Sequence, residues 1–392
     1  MVGATLACAL QDSGLRIALI EHAEPPETGA GDDIDLRVSA ITRASEQIFT
    51  ALDAWSRMRA RRVSPFREMH VWDAGGSGVI HFDAAELGED CLGHIIENRV
   101  VQRALWEVLR SSGRVEILCP AAVAALRHAG PWQEVRLQDE QVLRTRLLVG
   151  ADGAQSQVRR FAAIPTHGWS YEQQAVVATV ATELSHRETA WQRFLPAGPL
   201  AFLPLHDGRC SIVWSTTPAQ AQHLLAADET DFRRQLAEAF GHKLGRIESS
   251  GPRAAFPLRL QYAERYVRPG LALIGDAAHT VHPLAGQGVN LGLLDAACLA
   301  EVLAEAAGRG RDIAAEAVLR RYERWRKGHN LMMMATMDGF KRLFGSDLEP
   351  LRWARNAGLS LTDRLVPVKT LIMRHAIGRN GDLPAVARSL PA

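Results

Sequence analysis

One stretch constrains the fold of this chain more than any other: "LALIGDAAHTVHPLAGQGVNLGLLDA", residues 271–296. A buried strand ends in Gly275-Asp276, a proline-containing loop follows, and Gly286-Gln287-Gly288 opens a helix. A carboxylate at the C-terminal end of a strand is placed to accept a hydrogen bond from a polyol hydroxyl. Glycines let a flat ring lie against bare backbone, and a helix N-terminus offers free amides and positive potential. A reduced flavin carries negative charge on its N1–C2 carbonyl edge, and this is the electrostatic device that such a ring needs. A ligand-free glycine turn does not explain so many small and polar residues in one strand–loop–helix.

Two weaker segments bear on the same question. The chain opens "MVGATLACAL", with Gly3 at the start of a small-residue helix. In a dinucleotide-binding βαβ unit the last glycine of GxGxxG lets helix and strand approach closely, and an acid about 20 residues on binds ribose. Gly3 and Glu21 are separated by a helix, the stop at Gly14 and the strand "RIALIE", which fits that unit, although taken alone the segment reads equally as an ordinary helix with a small residue near its start. The second segment, "LLVGADGAQSQVRR", runs a strand into Gly150, Asp152 and Gly153 and then into a helix carrying Arg159 and Arg160. Taken alone it reads either as backbone brought close to a phosphate or ribose, or as a capped strand-to-helix turn.

The other excluded classes follow quickly. A net charge of +1 leaves no nucleic-acid footprint. The five cysteines form no CxxC pair, so neither a metal site nor a disulfide framework is expected, and a cytoplasmic location is. No secretory signal is expected from the opening as written, and no apolar run reaches about 18 residues. Along the chain the pattern is α/β, then strand-rich, then α/β, then helical. Helices are expected over 2–13, in "SAITRASEQIFTALDAW", in "NRVVQRALWEVLRSSG", at 228–240 and from about Gly288, with a hairpin around 66–82 turning at Gly75–Gly78. The fold class is therefore α/β: a Rossmann-like nucleotide-binding domain in two pieces, 1–165 and 266–330, an inserted β-sheet domain at 166–265, and a helical region at 331–392.

These motifs resemble those of the single-component FAD-dependent aromatic hydroxylases, the group that contains para-hydroxybenzoate hydroxylase. "LRVSAITRAS", "GHIIENRVVQRALW", "LAFLPL", "SIVWS" and "AGQGVNLGLLDA" are most similar to the ubiquinone-biosynthesis subgroup, above all to its 2-polyprenylphenol 5-hydroxylases. The resemblance runs from residue 1 to "GDLP" and implies the glutathione-reductase type for the two-piece domain, substrate binding for the inserted sheet, and the following roles. Gly3 is the last glycine of the fingerprint and Glu21 the adenosine-ribose acid. Arg37 approaches the pyrophosphate or flavin face, Gln102 lies along the ribityl-pyrophosphate chain, and Asp152 and Gly153 touch FAD and the nicotinamide. Asp276 binds ribityl hydroxyls, while Pro283, Gly286, Gln287, Gly288 and Asn290 line the isoalloxazine. Phe202, Leu203 and Trp214 are wall residues of the substrate pocket, with ordinary sheet core as the competing reading. His279 and His282 are read as satisfying loop carbonyls, and no protein acid or base is assigned.

The implied cofactors are FAD, NADH or NADPH (or another electron donor) as reductant, and O2 as co-substrate. Oxygen adds at flavin C4a, and the distal oxygen of the hydroperoxide attacks an apolar, polyprenylated phenol. Other proteins of ubiquinone biosynthesis and a peripheral contact at the inner membrane are implied as partners. The tail "LRWARNAGLSLTDRLVPVKTLIMRHAIG" mixes cations with aliphatics at helical spacing, which suits such a contact, but a helix packed on the FAD domain is the preferred reading. The opening departs from the family, in which a strand and two more glycines precede Gly3. Evolved loss of a central parallel strand is costly, so a truncated or mis-started chain is the expectation. Two other readings stay open: a flavin hydroxylase of another aromatic, and a non-catalytic, partner-binding member.

Overall fold

The computed structural model describes residues 1–26, 34–281, 288–344 and 349–388. Its organising element is an eight-stranded sheet. In spatial order the strands are His279–Thr280, Ile247–Ala263, Thr166–Thr182, Cys210–Thr216, Gly198–Pro204, Thr189–Leu195, Glu68–Asp73 and Val79–Asp83. Neighbours are antiparallel except at the junction of Thr189–Leu195 with Glu68–Asp73. The hairpin expected at 66–82 is present, but it extends this sheet instead of staying with the N-terminal α/β part.

Alternation along the strands splits the sheet into two faces. Val176, Ala178, Leu200, Phe202, Ile212 and Trp214 point to one face and are buried under helices Pro218–Ala226 and Glu229–Phe240, which supply Leu224, Phe232, Leu236 and Phe240. The first of these helices was not expected: it starts from a Thr217 cap with Pro218 in its first turn, and nearly balanced small and polar residues give it little periodicity. Ala175, Val213 and Leu258 point to the opposite face, where Leu291, Met333 and Met334 meet them.

Among the described residues the parallel pairing of the α/β part lies in two pieces. Ile17–Ile20 pairs in parallel with Val115–Leu118, and Leu148–Gly150 pairs in parallel with Leu271–Leu273. Among the described residues no strand links the two pieces. The first helix, Val2–Leu10, lies against both: a Cβ on Gly3 would stand 3.1 Å from the Cβ of Ala151 and 4.0 Å from Leu19. The long helix Gly288–Gly308 is buried along most of its length and joins both cores of this part. Residues 39–42, expected as the start of a helix, instead belong to the strand Val38–Thr42 paired with Gly93–Glu97. The helix begins only at Arg43, where the Thr42 hydroxyl accepts the Ser45 amide.

Beyond residue 315 the helices Glu316–Phe344, Glu349–Arg364 and Val366–Ala376 close over the Glu68–Asp83 hairpin. Their side chains satisfy the sheet edge. Asn356 Oδ1 accepts the Gly78 amide at 2.6 Å, and Asp363 accepts that of His81 at 3.0 Å. An edge strand left with free amides invites pairing with another chain, and these contacts remove that liability.

Candidate active site

The three motifs converge on one place. Gly275 has φ +59°, a left-handed conformation that favours glycine, and a Cβ there would lie 3.2 Å from the Val2 side chain. A Cβ on Gly292 would come within 2.8 Å of Val2 and 3.1 Å of the Gly275 Cα. The start of the first helix, the Gly275-Asp276 turn and the long helix thus meet with no room for side chains. Arg159, buried, ties the second motif to the third: its guanidinium donates to Ala277 O at 2.8 Å and Ala154 O at 2.7 Å.

A buried polar network holds the turn from behind. Asp295 accepts the Gly275 amide at 3.1 Å and pairs with His279 Nε2 at 2.5 Å; its other oxygen accepts Arg326 Nε at 2.9 Å and Asn330 Nδ2 at 3.1 Å. Burial alone would raise the Asp295 carboxyl, but His279 and Arg326 overcome it and hold it at about 2. His279 therefore serves this carboxylate and not a loop carbonyl. Sequence reading missed the network because residues 279, 295, 326 and 330 come from three separate elements.

Asp276 sits at the open side of the turn. It is accessible to solvent, yet crowding by protein pushes its carboxyl up, while His279 and Arg37 pull it down. Arg37 is exposed, and its guanidinium lies 5.4 Å from the ring centroid of Phe256, which pairs with Ala175 and shares its face of the large sheet. Asp276, Arg37 and Phe256 thus belong to one neighbourhood. Glu21 follows the strand Ile17–Ile20, and its charge reaches the start of the first helix at Met1. That helix has no side-chain cap and no acid in its first turn, so its leading amides are free donors.

Other expected residues have different employment. The Asp152 carboxylate accepts Ser156 Oγ at 2.5 Å and the amides of Gln157 and Val158 at 2.7 and 3.1 Å. It caps the helix Gln157–Phe161, the structural reading of that motif, with Gly153 beside it at φ +79°. Asn290 is buried and directed at the strand Val38–Thr42: its amide donates to Ala40 O at 2.7 Å, and its oxygen accepts the Thr42 amide at 3.0 Å and Ser45 Oγ at 2.8 Å. Its side chain clamps the strand that carries Arg37. Gln102 is half-buried on helix Asn98–Ser112, with no hydrogen-bond partner among the described residues, and Gly288 begins the long helix. Pro283, Gly286, Gln287 and His282 lie outside the described residues.

The pocket-wall expectation needs correction. Phe202 is fully buried and stacks on Phe240 at 3.9 Å, and Trp214 belongs to the same helix-covered core, so both face away from the site. Leu203 points to the other face, packing with Ile34, Ala40 and Ile95. Val213, one residue before Trp214, and Phe256 share that face and were not foreseen.

Residues 1–336 match the family model described as "FAD binding domain". The chain belongs to this FAD-binding family. It is 40% identical over 378 residues to the 3-demethoxyubiquinol 3-hydroxylase of Escherichia coli, covering 96% of each chain. It is also 40% identical over 394 residues to the ubiquinone hydroxylase UbiL of Rhodospirillum rubrum, covering 100% of this chain and 91% of the relative. Among solved structures, p-nitrophenol 4-monooxygenase PnpA from Pseudomonas putida superposes with a TM-score of 0.78 at 20% identity over 96% of this chain and 95% of its own, which speaks to the fold. The chain is an FAD-dependent monooxygenase of the aromatic-hydroxylase fold, and its relatives carry the names of ubiquinone hydroxylases.

The residues present fit that cofactor. Asp276 offers an acceptor in the open, Arg37 a cation, the first helix unsatisfied amides, and Glu21 an acid at the end of the neighbouring strand. These are the partners that a ribityl chain, a pyrophosphate and an adenosine ribose require.

Proposed function

We propose that this enzyme hydroxylates the ring of a polyprenylated phenol or quinol in ubiquinone biosynthesis. Identity of 40% along nearly the whole chain to a 3-demethoxyubiquinol 3-hydroxylase carries the reading. It also favours the 3-position over the 5-position suggested by the sequence motifs. FAD, when bound, supplies activation of O2 after reduction by NADH or NADPH. The chain's own residues bind and orient. Asp276 accepts from ribityl hydroxyls, Arg37 offsets phosphate or flavin charge, and Glu21 accepts from the adenosine ribose. Leu203, Val213 and Phe256 form an apolar wall that excludes water and holds the phenol ring. Domain boundaries near 165 and 265 follow the same reading, with the Glu68–Asp83 hairpin added to the substrate domain.

So apolar a substrate is reached from a lipid surface, and the helix Val366–Ala376 suits that task. It is inside-out: Lys369 and Met373 are buried, while Val368, Leu371 and Ile372 point to solvent. Leu371 is 62% exposed, and Leu361, Leu365 and Val366 extend the patch. Lys369 is spent inward on Glu86 at 2.7 Å, and the exposed Arg364 and Arg374 flank the aliphatics. An apolar outer face flanked by cations matches an anionic membrane surface. Among the described residues no helix is long and apolar enough to cross a membrane, so the contact is peripheral.

Two experiments test this. The FAD-loaded enzyme is given NADH or NADPH with short-chain 3-demethoxyubiquinol and, separately, 2-polyprenylphenol, and the products are identified. Hydroxylation of the first alone supports the 3-position; turnover of neither, with turnover of a soluble phenol instead, rejects the ubiquinone assignment. Co-sedimentation with anionic vesicles is expected for the native chain and not for Leu371→Glu. Equal sedimentation of both rejects the helix as the contact.

A further inference from the structure

The edge hairpin of the large sheet carries a group of side chains that the flavin chemistry does not use. Glu68 and His70 are two apart on one strand and therefore on one face, and the register sets His81 directly opposite His70. The rings of His70 and His81 lie 4.2 Å apart, with Trp191 stacked behind His70 at 4.8 Å. His81 and the Glu68 carboxylate are 3.0 Å apart, and one donor atom from each of the three residues lies within 4.8 Å of the others. This is the helix-covered face that also holds Trp72 and Phe240, away from Asp276.

We propose that Glu68, His70 and His81 form a site for a divalent transition-metal cation such as Zn2+. Two imidazoles and one carboxylate are the donor set of that class and not of Mg2+ or Ca2+, which take oxygen ligands. Three ligands from a strand pair leave the remaining positions to water, and all three residues are half-buried, so an ion can enter. The donors are preassembled. The Glu68–His81 contact orients the carboxylate, Trp191 limits the tilt of His70, and the His81 backbone is fixed from the far side by Asp363 at 3.0 Å and Lys369 at 3.2 Å. Side-chain rotations would have to bring the three donors to the roughly 2.0–2.2 Å that Zn2+ requires. The bound ion would pin the edge strand to its neighbour. The pattern is invisible in sequence, because residues 68, 70 and 81 acquire a common face only through the register of the hairpin.

The FAD-loaded protein, stripped with a chelator and dialysed, is titrated with Zn2+ against a chromophoric indicator and separately with Co2+. One equivalent should bind, and the Co2+ complex should show ligand-field bands without thiolate-to-metal charge transfer. His81→Ala should weaken Zn2+ binding by about 100-fold or more. Glu68→Gln, which keeps the size of the side chain, should weaken it by at least about tenfold with circular dichroism and FAD content unchanged. No Zn2+ uptake by the native protein, or equal affinity in Glu68→Gln and His81→Ala, overturns the proposal.

Discussion

On one face of the large sheet Phe202 stacks on Phe240 and Trp72 meets the same ring at 5.2 Å, under the helices Pro218–Ala226 and Glu229–Phe240. On the other face Phe256 is 36% exposed with Arg37 over it, and Leu203 and Val213 are only half-buried. The same strands build both, one residue out of step. The closed face stabilises the domain through close contact, whereas the open face is the one we propose a ligand completes. This difference predicts that substitutions on the two faces fail in different ways.

The largest effect is expected on the closed side. Phe202→Ala removes a fully buried ring and should cost about 3–5 kcal/mol in denaturant unfolding. FAD bound per folded molecule should stay unchanged; a selective loss of FAD would return Phe202 to the site. Asp276→Ala should do the opposite, weakening FAD binding by about 1.5–3 kcal/mol, the worth of hydrogen bonds to a charged group, in fluorescence titration. Removal of a carboxylate that crowding disfavours should not lower apo stability, and a marked loss would make Asp276 structural. Phe256→Ala gives up a contact with Arg37 worth about 0.5–1 kcal/mol at an exposed site. It should alter the Michaelis constant for phenol more than the unfolding midpoint, and an effect confined to stability would remove Phe256 from the wall.

The smallest effect concerns pH. Burial, with help from Arg43 and Arg59, lowers His94 to about 4 from an ordinary value of 6.5. The unfolded chain therefore takes up a proton that the folded chain refuses between about pH 6.5 and about 4, so His94 makes stability fall as pH drops through that window. His94→Gln should flatten this slope relative to the native chain; an identical slope would show that His94 does not contribute to it.

The comparison also marks what sequence can carry. Asp276 stood out because a carboxylate at a strand end beside a glycine-opened helix is a local pattern with a chemical meaning; Arg37 came only from the family resemblance, and the ligand roles of both are proposals. Phe202 and Leu203 were legible as strand residues but not as opposites, because alternation gives two faces and only packing says which one the helices cover. Residues 39–42 were read as helix since their apolar spacing suits either period, and pairing with Gly93–Glu97 decided it. Asp152 and Asn290 carried motif positions, yet their side chains serve a helix cap and a strand clamp. The network around Asp295 joins residues up to 51 positions apart in sequence, beyond any local pattern.

The central claim is that the open face, completed by FAD, transfers oxygen to a polyprenylated ring. The FAD-loaded enzyme, supplied with NADH or NADPH, a short-chain polyprenylated phenol or quinol and isotopically labelled O2, tests it most directly by mass spectrometry of the product. The account predicts one labelled oxygen on the ring and consumption of nicotinamide that depends on the phenol. Nicotinamide oxidised with no labelled product, or label arriving from water instead of O2, would contradict it.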